Sequence, residues 1–301
     1  MSWAASPQQV AAPAGPAGPA GADGPPPGRR WLAGATARGG LRYAWNSASL
    51  AGTALIWLAL LGPVIALATH LSWHAVTSSL SAPGAFGPLV ISLEAGGITL
   101  GVLVLLGTPL AWALARGTLP FPRVWEAGVL AVLLLPPLVI GLLLIFMIGP
   151  YTFFGQALAH FNLSTTNTFL ALVIAEVYES APYYVLGAQA AFAGVDHRLE
   201  QQAALLGDPP RRVLRRVTAP LAAPGLATAL AVAWARAMGA FGAVVIIAYH
   251  PQGLPLQIWT TLQETGLPTA LPFALVLLVV ALPLPLAAFL WSARAQRRRR
   301  G

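Results

Sequence analysis

The feature that most constrains this chain is a series of six long apolar segments, each about as long as a membrane-crossing helix must be. A helix rises about 1.5 Å per residue, so roughly 20 apolar residues cross the hydrocarbon core of a bilayer. Only 9% of the residues are charged, whereas soluble domains carry about 25%. We therefore predict an all-α membrane protein with about six transmembrane helices, not a soluble enzyme or a nucleic-acid-binding domain. The six segments are residues 50–69, 88–115, 127–149, 168–190, 221–248 and 268–291.

Arginine marks one side of this predicted membrane domain. The chain has no lysine, and every arginine except Arg236 lies in a terminal segment or in the connections 116–126 and 191–220. The connections without arginine are 70–87, 150–167 and 249–267. Because positively charged loops stay in the cytoplasm, we predict a multi-pass protein of a bacterial inner membrane with both termini cytoplasmic.

Composition divides the chain into three parts. Residues 1–45 begin with a run of Ala, Gly and Pro that buries too little surface to offset its ordering entropy, so a disordered cytoplasmic tail is expected. Residues 46–292 form the transmembrane domain, including a regular loop at 196–220. Residues 293–301 form a basic cytoplasmic tail, in which Arg297–Arg300 suit anionic lipid headgroups.

The loop at 196–220 has the signals of a helix–turn–helix. Asp196 is a typical N-cap for a helix over His197–Leu206, and Gly207 then supplies a left-handed turn. Asp208 is expected to cap a second helix with Pro209 in its first position. Pro220 is expected to close the unit just before the fifth span.

The same loop resembles the EAA loop of ABC importer permeases. In that family, Glu-Ala-Ala is followed by three residues, a Gly, nine residues and Ile-x-Leu-Pro; here Glu200-Gln-Gln-Ala-Ala-Leu-Leu-Gly207 precedes nine residues and Val217-Thr-Ala-Pro220. Val217 and Ala219 depart from the family's Ile and Leu. The resemblance implies a fold like that of type I importer permeases, with this loop docking on a separate ATP-hydrolysing subunit. The residues implied in coupling are Glu200, Gln201, Ala203, Gly207, Val217 and Pro220.

Further segments resemble the molybdate, tungstate and sulfate permeases within that family. These are Ala235–Ala243, Leu134–Gly141 and Gly253–Gln263, although Ala240 stands where the family has Glu. The resemblance implies a translocation path for an oxyanion, with molybdate or tungstate ahead of sulfate, thiosulfate or another importer substrate. It also implies that Arg236, Gly239, Phe241 and Gly242 lie at the path or its gate.

The partners are implied by the resemblance as well. They are two ATPase subunits, an extracytoplasmic substrate-binding protein and, because one chain carries one loop, a second copy of the permease in a homodimer, all in contact with membrane lipid. The sequence has no Gly-x-x-x-x-Gly-Lys-Ser/Thr loop to cradle phosphates. We therefore expect no catalytic residue and no cofactor on this chain, with ATP and Mg²⁺ used by the partner. No metal site is expected either, because the histidines lack the clustered spacing of metal ligands.

Arg236 lies near the middle of the fifth predicted span, where a charge is costly unless it is paired or hydrated. It either contributes an electropositive element to the path or has a structural role in the bundle. We hypothesise that Glu179, at a similar depth in the fourth span, pairs with it, with Glu176 as the second choice. A secondary transporter that uses these two acids as an ion relay, and a non-transporting scaffold, are the competing interpretations.

Overall fold

The computed structural model describes residues 29–70, 72–81 and 84–300, without the side chains of residues 29–48, 75, 80 and 296–300. The chain divides into two units, the first ending at Ala66 and the second running over Leu67–Gly301. Helix is the only regular structure in the described ranges. The helices are α1 (Arg29–His70), α2 (Trp73–Ser81), α3 (Gly87–Val102), α4 (Thr108–Arg116), α5 (Pro122–Leu134), α6 (Pro137–Ile148), α7 (Phe153–Ala159), α8 (Phe169–Ala193), α9 (His197–Leu205), α10 (Pro210–Val213), α11 (Ala219–Met238), α12 (Val244–Ile247), α13 (Leu254–Glu264), α14 (Leu267–Ala281) and α15 (Pro283–Arg300).

The predicted all-α membrane fold is confirmed. Five helical stretches in the described ranges are long and apolar enough to cross a bilayer, and one bent helix pair raises the number to as many as six. Two of the stretches contain a π-helical turn, at Leu103–Gly107 and at Leu214–Thr218. The stretches are Ser49–His70, Gly87–Arg116, Phe169–Ala193, Pro210–Met238 and Leu267–Ala295, and the bent pair is Pro122–Leu134 with Pro137–Ile148.

The third predicted span is not one straight helix. Its two halves, α5 and α6, meet at an angle of 115°. Leu135 and Pro136 are both extended at the bend, with ψ of 135° and 136°. Each precedes a proline, and a proline ring disfavours helical backbone in the residue before it. The continuous helix predicted over 127–149 is therefore wrong, because the Pro136-Pro137 pair breaks an otherwise apolar run.

The fifth span is shifted toward the N-terminus from its predicted position at 221–248. The helix begins at Pro210, passes through the second π-helical turn and ends at Met238. Residues 239–243 are not helical, and the four-residue α12 follows them. The apolar run continues beyond Met238, but the helix does not. Gly239 ends the helix, and the apolar residues after it pack in the core as a broken segment.

The fourth span is the centre of the second unit. Its sequence is the least typical of a membrane span among the six apolar segments, because it contains two glutamates and Pro182. Even so, 56% of its most apolar 18 residues are buried, a larger share than in the other four unbent spans that the structure describes. Its closest neighbour is α11. A Cβ added at Gly187 would lie 2.7 Å from Ala229 Cβ, and one at Gly225 would lie 2.6 Å from Ala191 Cβ. Small residues at these crossings let the two backbones approach closely, as is usual for helices packed in membranes.

Both terminal segments are helical where the structure describes them, and only the N-terminal one was predicted to be disordered. Residues 1–28 lie outside the described residues. Helix α1 already begins at Arg29, within the segment predicted as a disordered tail, and α15 continues through the basic residues to Arg300. Between Arg29 and Gly62 the sequence has no proline to stop a helix. The helical backbone therefore extends beyond the apolar segment on which the prediction was based.

The close contact of α8 with α11 yields a stability prediction. Gly187→Ala places a Cβ against Ala229, and overpacking of this kind costs about 1–3 kcal/mol. Gly128→Ala on α5 is the matched control, because no atom lies within 4 Å of its added Cβ. We expect Gly187→Ala to lower the melting temperature of the purified protein and Gly128→Ala to leave it unchanged or raise it. Equal melting temperatures for the two variants would contradict the tight crossing.

Candidate functional site

The loop between the fourth and fifth spans forms a hairpin of residues 196–218. It contains most of the residues predicted in coupling, and it is called the coupling hairpin after that prediction. Asp196 caps α9, since its Oδ1 accepts a hydrogen bond of 2.9 Å from the amide of Arg198. The turn at Gly207 has φ of +90°, as the sequence predicts for a glycine in the left-handed region. The amides of Gly207 and Asp208 donate to the carbonyls of Ala204 and Ala203 and close the end of α9.

The second arm of the hairpin differs from the prediction. Pro209, not Asp208, is the N-cap of α10, and Pro210 takes the first helical position. The reason is the Pro209-Pro210 pair, because the ring of Pro210 holds Pro209 in an extended conformation. Asp208 instead forms an ion pair of 3.0 Å with Arg212.

Pro220 does not close the unit, because the second arm continues through the π-helical turn into the fifth span. Pro220 has no N–H for the helix ladder, and the wider π-helical turn ends two residues before it, at Thr218.

Glu200 joins the hairpin to the membrane helices. Its side chain is only 12% exposed. One carboxylate oxygen accepts a hydrogen bond from Thr218 Oγ1 and forms an ion pair with Arg116, and the other lies 2.9 Å from His197 Nδ1. Arg116 is the last residue of the second span and Thr218 belongs to the start of the fifth. One side chain therefore connects α9 to two spans.

These contacts also set the ionisation of Glu200. Burial by itself would raise the pKa of this carboxyl, but the hydrogen bonds from Thr218 and His197 and the positive charge of Arg116 outweigh burial and hold the pKa below its usual value. The carboxylate is therefore charged throughout the physiological range, and the connection does not depend on small changes in pH.

Sequence reasoning did not identify Arg116 or Thr218 as partners of Glu200. Nothing in the sequence singles out these two residues. Arg116 is one of several arginines at the ends of spans, and Thr218 is a small polar residue within the otherwise apolar Val217–Pro220 motif. The fold alone brings together residues that are 84 and 18 positions apart in the chain.

The remaining predicted coupling residues lie on both arms of the hairpin. Gln201 is exposed and Ala203 half-buried on α9, while Val217 is half-buried and Pro220 exposed on the other side of the turn. The tip of the hairpin is apolar, with Leu205 and Leu206 exposed by 87% and 88%. Two adjacent solvent-exposed leucines at such a turn form an apolar patch that suits contact with a partner protein.

The structure places Glu179 and Arg236 together inside the bundle, as hypothesised from their depth. Arg236 Nη2 lies 2.5 Å from Glu179 Oε2, and the side chain of Glu179 is fully buried. The Oε2 contact is an ion pair without hydrogen-bond geometry, whereas Oε1 accepts a well-formed bond of 2.9 Å from the amide of Ala243. Arg236 also lies 5.9 Å from the centre of the Tyr183 ring. Glu179 thus pairs with the arginine and also holds the backbone at the end of the break in the fifth span.

Glu176, the second choice of partner, has a different contact. It is 4% exposed, and its Oε2 accepts a hydrogen bond of 3.1 Å from Thr99 on α3. The two acids of the fourth span therefore connect to different elements.

The other residues predicted at the path cluster at the break in the fifth span. Gly239 follows the last residue of α11, and the ring of Phe241 lies 5.6 Å from that of Trp259. A Cβ added at Gly242 would meet Pro137 Cβ at 2.4 Å. Only a glycine therefore lets this break pack against the bend of the third span. Ala240 is 3% exposed among apolar residues, so the position where the family has Glu is part of the core in this chain.

Comparison with known families identifies the chain as a membrane component of a transport system. Residues 104–301 match the family of inner membrane components of binding-protein-dependent transport systems. The chain belongs to this family.

Individual relatives give the same result. A protein of Haloferax volcanii, named a probable molybdenum ABC transporter permease, is 35% identical over 79% of this chain and 87% of its own length. The molybdenum transport permease ModB of Mycobacterium tuberculosis is 34% identical over 73% of this chain and 84% of its own. The sulfate transport permease CysT of Salmonella typhimurium is 31% identical, with coverages of 77% and 87%.

Solved structures confirm the fold of a type I importer permease. A chain of a bacterial alginate ABC transporter, in complex with its alginate-bound periplasmic protein, superposes with a TM-score of 0.64 at 16% identity and covers 85% of this chain and 96% of its own. A chain of the MetNI methionine transporter in an inward-facing conformation gives a TM-score of 0.54 at 16% identity, with coverages of 69% and 94%.

The ionisation of Glu200 gives a testable pH dependence. Because its folded-state pKa is lowered, its stabilising contribution is present above the ordinary glutamate pKa of about 4.3 and is lost only as pH falls through the lower folded value. A spin label at the exposed position Leu205→Cys reports this, since the chain has no native cysteine. We expect the label to become mobile only below the ordinary pKa, and Glu200→Gln to abolish this step.

Glu264→Gln is the matched control for that experiment, because Glu264 is an exposed glutamate outside the hairpin. It should leave the mobility curve unchanged. A transition at the ordinary glutamate pKa, or one that persists in Glu200→Gln, would show that Glu200 does not hold the hairpin.

The buried ion pair predicts a strongly non-additive pair of substitutions. Removing one partner of a buried pair costs about 3–5 kcal/mol, because the other charge is left uncompensated. Glu179→Gln and Arg236→Gln should each destabilise the protein, while the double variant should recover most of the loss in a melting experiment. If the double variant is stable, its transport activity distinguishes the two possible roles of Arg236. Recovered transport favours a structural role, whereas lost transport favours a role in the translocation path. Additive losses in stability would contradict the pairing.

Proposed function

We propose that this chain is the membrane-spanning subunit of an ATP-driven importer and forms the translocation path for a tetrahedral oxyanion, with molybdate or tungstate as the leading substrates. The observation that carries the proposal is the coupling hairpin, which a single carboxylate ties to the second and fifth spans. Such a connection would carry a force that acts on the hairpin into two spans of the bundle. The family to which the chain belongs supports this interpretation.

The proposed substrate rests on the relatives. Those named for molybdenum are 34–35% identical to this chain, and the one named for sulfate is 31% identical. Sulfate or thiosulfate is therefore the second candidate. We assign most of the substrate selection to a separate binding protein.

The proposed assembly contains two copies of this chain, two ATPase subunits and an extracytoplasmic substrate-binding protein. ATP and Mg²⁺ belong to the ATPase subunits, and this chain binds no cofactor or metal of its own. We place the arginine-rich connections and both termini in the cytoplasm of a bacterial cell, facing the ATPase, and the protein in the inner membrane. The presence of a periplasmic protein in the alginate transporter complex, which shares this fold, is compatible with such an assembly.

The proposed coupling follows from the contacts of the hairpin. The ATPase subunit binds the apolar tip at Leu205 and Leu206 and moves it when the ATPase pair closes around ATP. Because Glu200 connects α9 to Arg116 and Thr218, the movement reaches the second and fifth spans together. Two arrangements of these spans then give inward- and outward-facing states, and ATP favours one of them through its differential contacts.

The proposed gate is the break in the fifth span. Arg236 is committed to Glu179, so we assign it the role of holding the break in place. Gly239, Phe241 and Gly242 lie in the non-helical segment between α11 and α12. Phe241, half-buried against Trp259, is the side chain that we assign to closing the path.

Uptake into proteoliposomes tests this proposal. Vesicles that contain this chain, its ATPase and its binding protein should take up radiolabelled molybdate or tungstate only with ATP, and vanadate should abolish uptake. Sulfate uptake in competition with molybdate identifies the preferred oxyanion. Uptake that continues without ATP and collapses with the ion gradient would establish a secondary transporter in place of the importer.

The turn at Gly207 provides a sharper test of coupling. Gly207→Pro forces φ from +90° to about −65° and removes the amide bonded to Ala204, so the hairpin loses its rigid turn. We expect uptake to fall more than about tenfold, because a misplaced proline costs about 3 kcal/mol, while ATP hydrolysis and membrane insertion persist. Gly207→Asn is the control, because asparagine tolerates left-handed backbone. Full vanadate-sensitive uptake by Gly207→Pro would contradict the coupling role.

A further inference from the structure

The short helix α13 follows the broken fifth span, and its amino end is held by a residue that none of the sites described above uses. Ser92, on α3 in the second span, is 2% exposed, and its Oγ accepts a hydrogen bond of 2.8 Å from the amide of Leu254. The first amides of a helix have no partner within the helix. Gly253, the N-cap of α13, provides no side-chain cap. Ser92 therefore takes the place of a cap, from a position 162 residues away in the chain.

This contact between α3 and α13 is tightly packed. A Cβ added at Gly253 would lie 2.8 Å from Ser92 Oγ, so a side chain there would displace the hydroxyl group. Leu254 and Leu256 are 0% and 1% exposed, which places the amino end of α13 in the interior. A buried amide without an acceptor costs free energy. One hydroxyl group therefore specifies how this end of α13 meets the second span.

The same helix carries Trp259, whose ring lies 5.6 Å from that of Phe241. The two rings have different supports. Phe241 lies in the broken segment of the fifth span, where Glu179 of the fourth span accepts a hydrogen bond from the amide of Ala243. Trp259 lies on α13, which Ser92 attaches to the second span. The contact between the rings thus depends on how the second span is placed relative to the fourth.

We propose that Ser92 is a positioning residue that holds Trp259 against Phe241 from the second span. The importance of this contact for transport rests on the proposed function, in which Phe241 closes the path. The second span also ends at Arg116, the ion-pair partner of Glu200 in the coupling hairpin. One span therefore contacts the hairpin at one end and supports the partner of the gate near its other end.

Fluorine NMR of the full chain in lipid nanodiscs, labelled with 5-fluorotryptophan, tests the positioning role without transport. Trp259→Phe assigns the signal of Trp259, and the ring current of Phe241 makes that signal sensitive to the contact. Ser92→Ala removes the acceptor of the Leu254 amide, so we expect the ratio of packed to unpacked Trp259 to fall by at least about fivefold. Gly253→Ala displaces the same hydroxyl group from the other side and should have the same effect.

Thr260→Val is the matched control. It also removes a buried hydroxyl group, but that hydroxyl donates to the carbonyl of Gln257 within α13 and not to the second span. The Trp259 signal of this variant should stay that of the native chain. An unchanged signal in both Ser92→Ala and Gly253→Ala, or an equal change in Thr260→Val, would overturn the positioning role.

Uptake by the assembled complex in proteoliposomes then tests the gate separately. If the contact closes the path, Ser92→Ala should transport less molybdate for each ATP hydrolysed, whereas Thr260→Val should keep the native ratio. A changed fluorine signal with a native ratio would support the positioning role and overturn the assignment of Phe241 as the gate. A native complex without ATP-driven uptake would overturn the proposed function and leave the NMR result in place.

Discussion

The cost of burying an unpaired carboxylate is the constraint on which the rest of this structure depends. Glu179 and Glu200 both lie away from water, and each is satisfied by an arginine from a distant part of the chain. A buried pair contributes little net stability, but loss of either partner is expensive. Each pair therefore specifies the fold more than it stabilises it. Only an arrangement that brings the two partners together avoids the cost of an unpaired buried charge.

The two pairs determine which segments of the molecule are joined to one another. Glu200 joins the coupling hairpin to the ends of the second and fifth spans, at the arginine-rich end of the bundle. Glu179 joins the central fourth span to the fifth span through Arg236 before the break and through the amide of Ala243, the last residue of the break. The fifth span is thus held by one carboxylate at its beginning and by another at its end.

The breaks in the third and fifth spans depend on each other. The Cβ positions of Gly242 and Gly141 would clash with Pro137 and with Ile246, so the bend after Pro136 fits against the non-helical segment only because both sites are glycine. Backbone that lacks helical hydrogen bonds is tolerated at membrane depth only where protein or a water-filled cavity surrounds it. The interlocked breaks satisfy that condition, because each covers the other.

The sequence by itself determined the apolar spans, the hairpin and its glycine turn, and the membrane fold, because these follow from local composition, spacing and turn chemistry. It also suggested that Glu179 and Arg236 are partners, since helix rise places two charges at one depth. It did not determine the bend at Pro136, the end of the fifth span at Met238 or the contacts of Glu200 with Arg116 and Thr218. An apolar run has the same hydropathy whether it is straight or broken, and no local pattern relates residues 84 positions apart. Only the tertiary structure decided these features, because they arise where separate helices meet and where the cost of an unsatisfied polar group in the interior selects one packing from many.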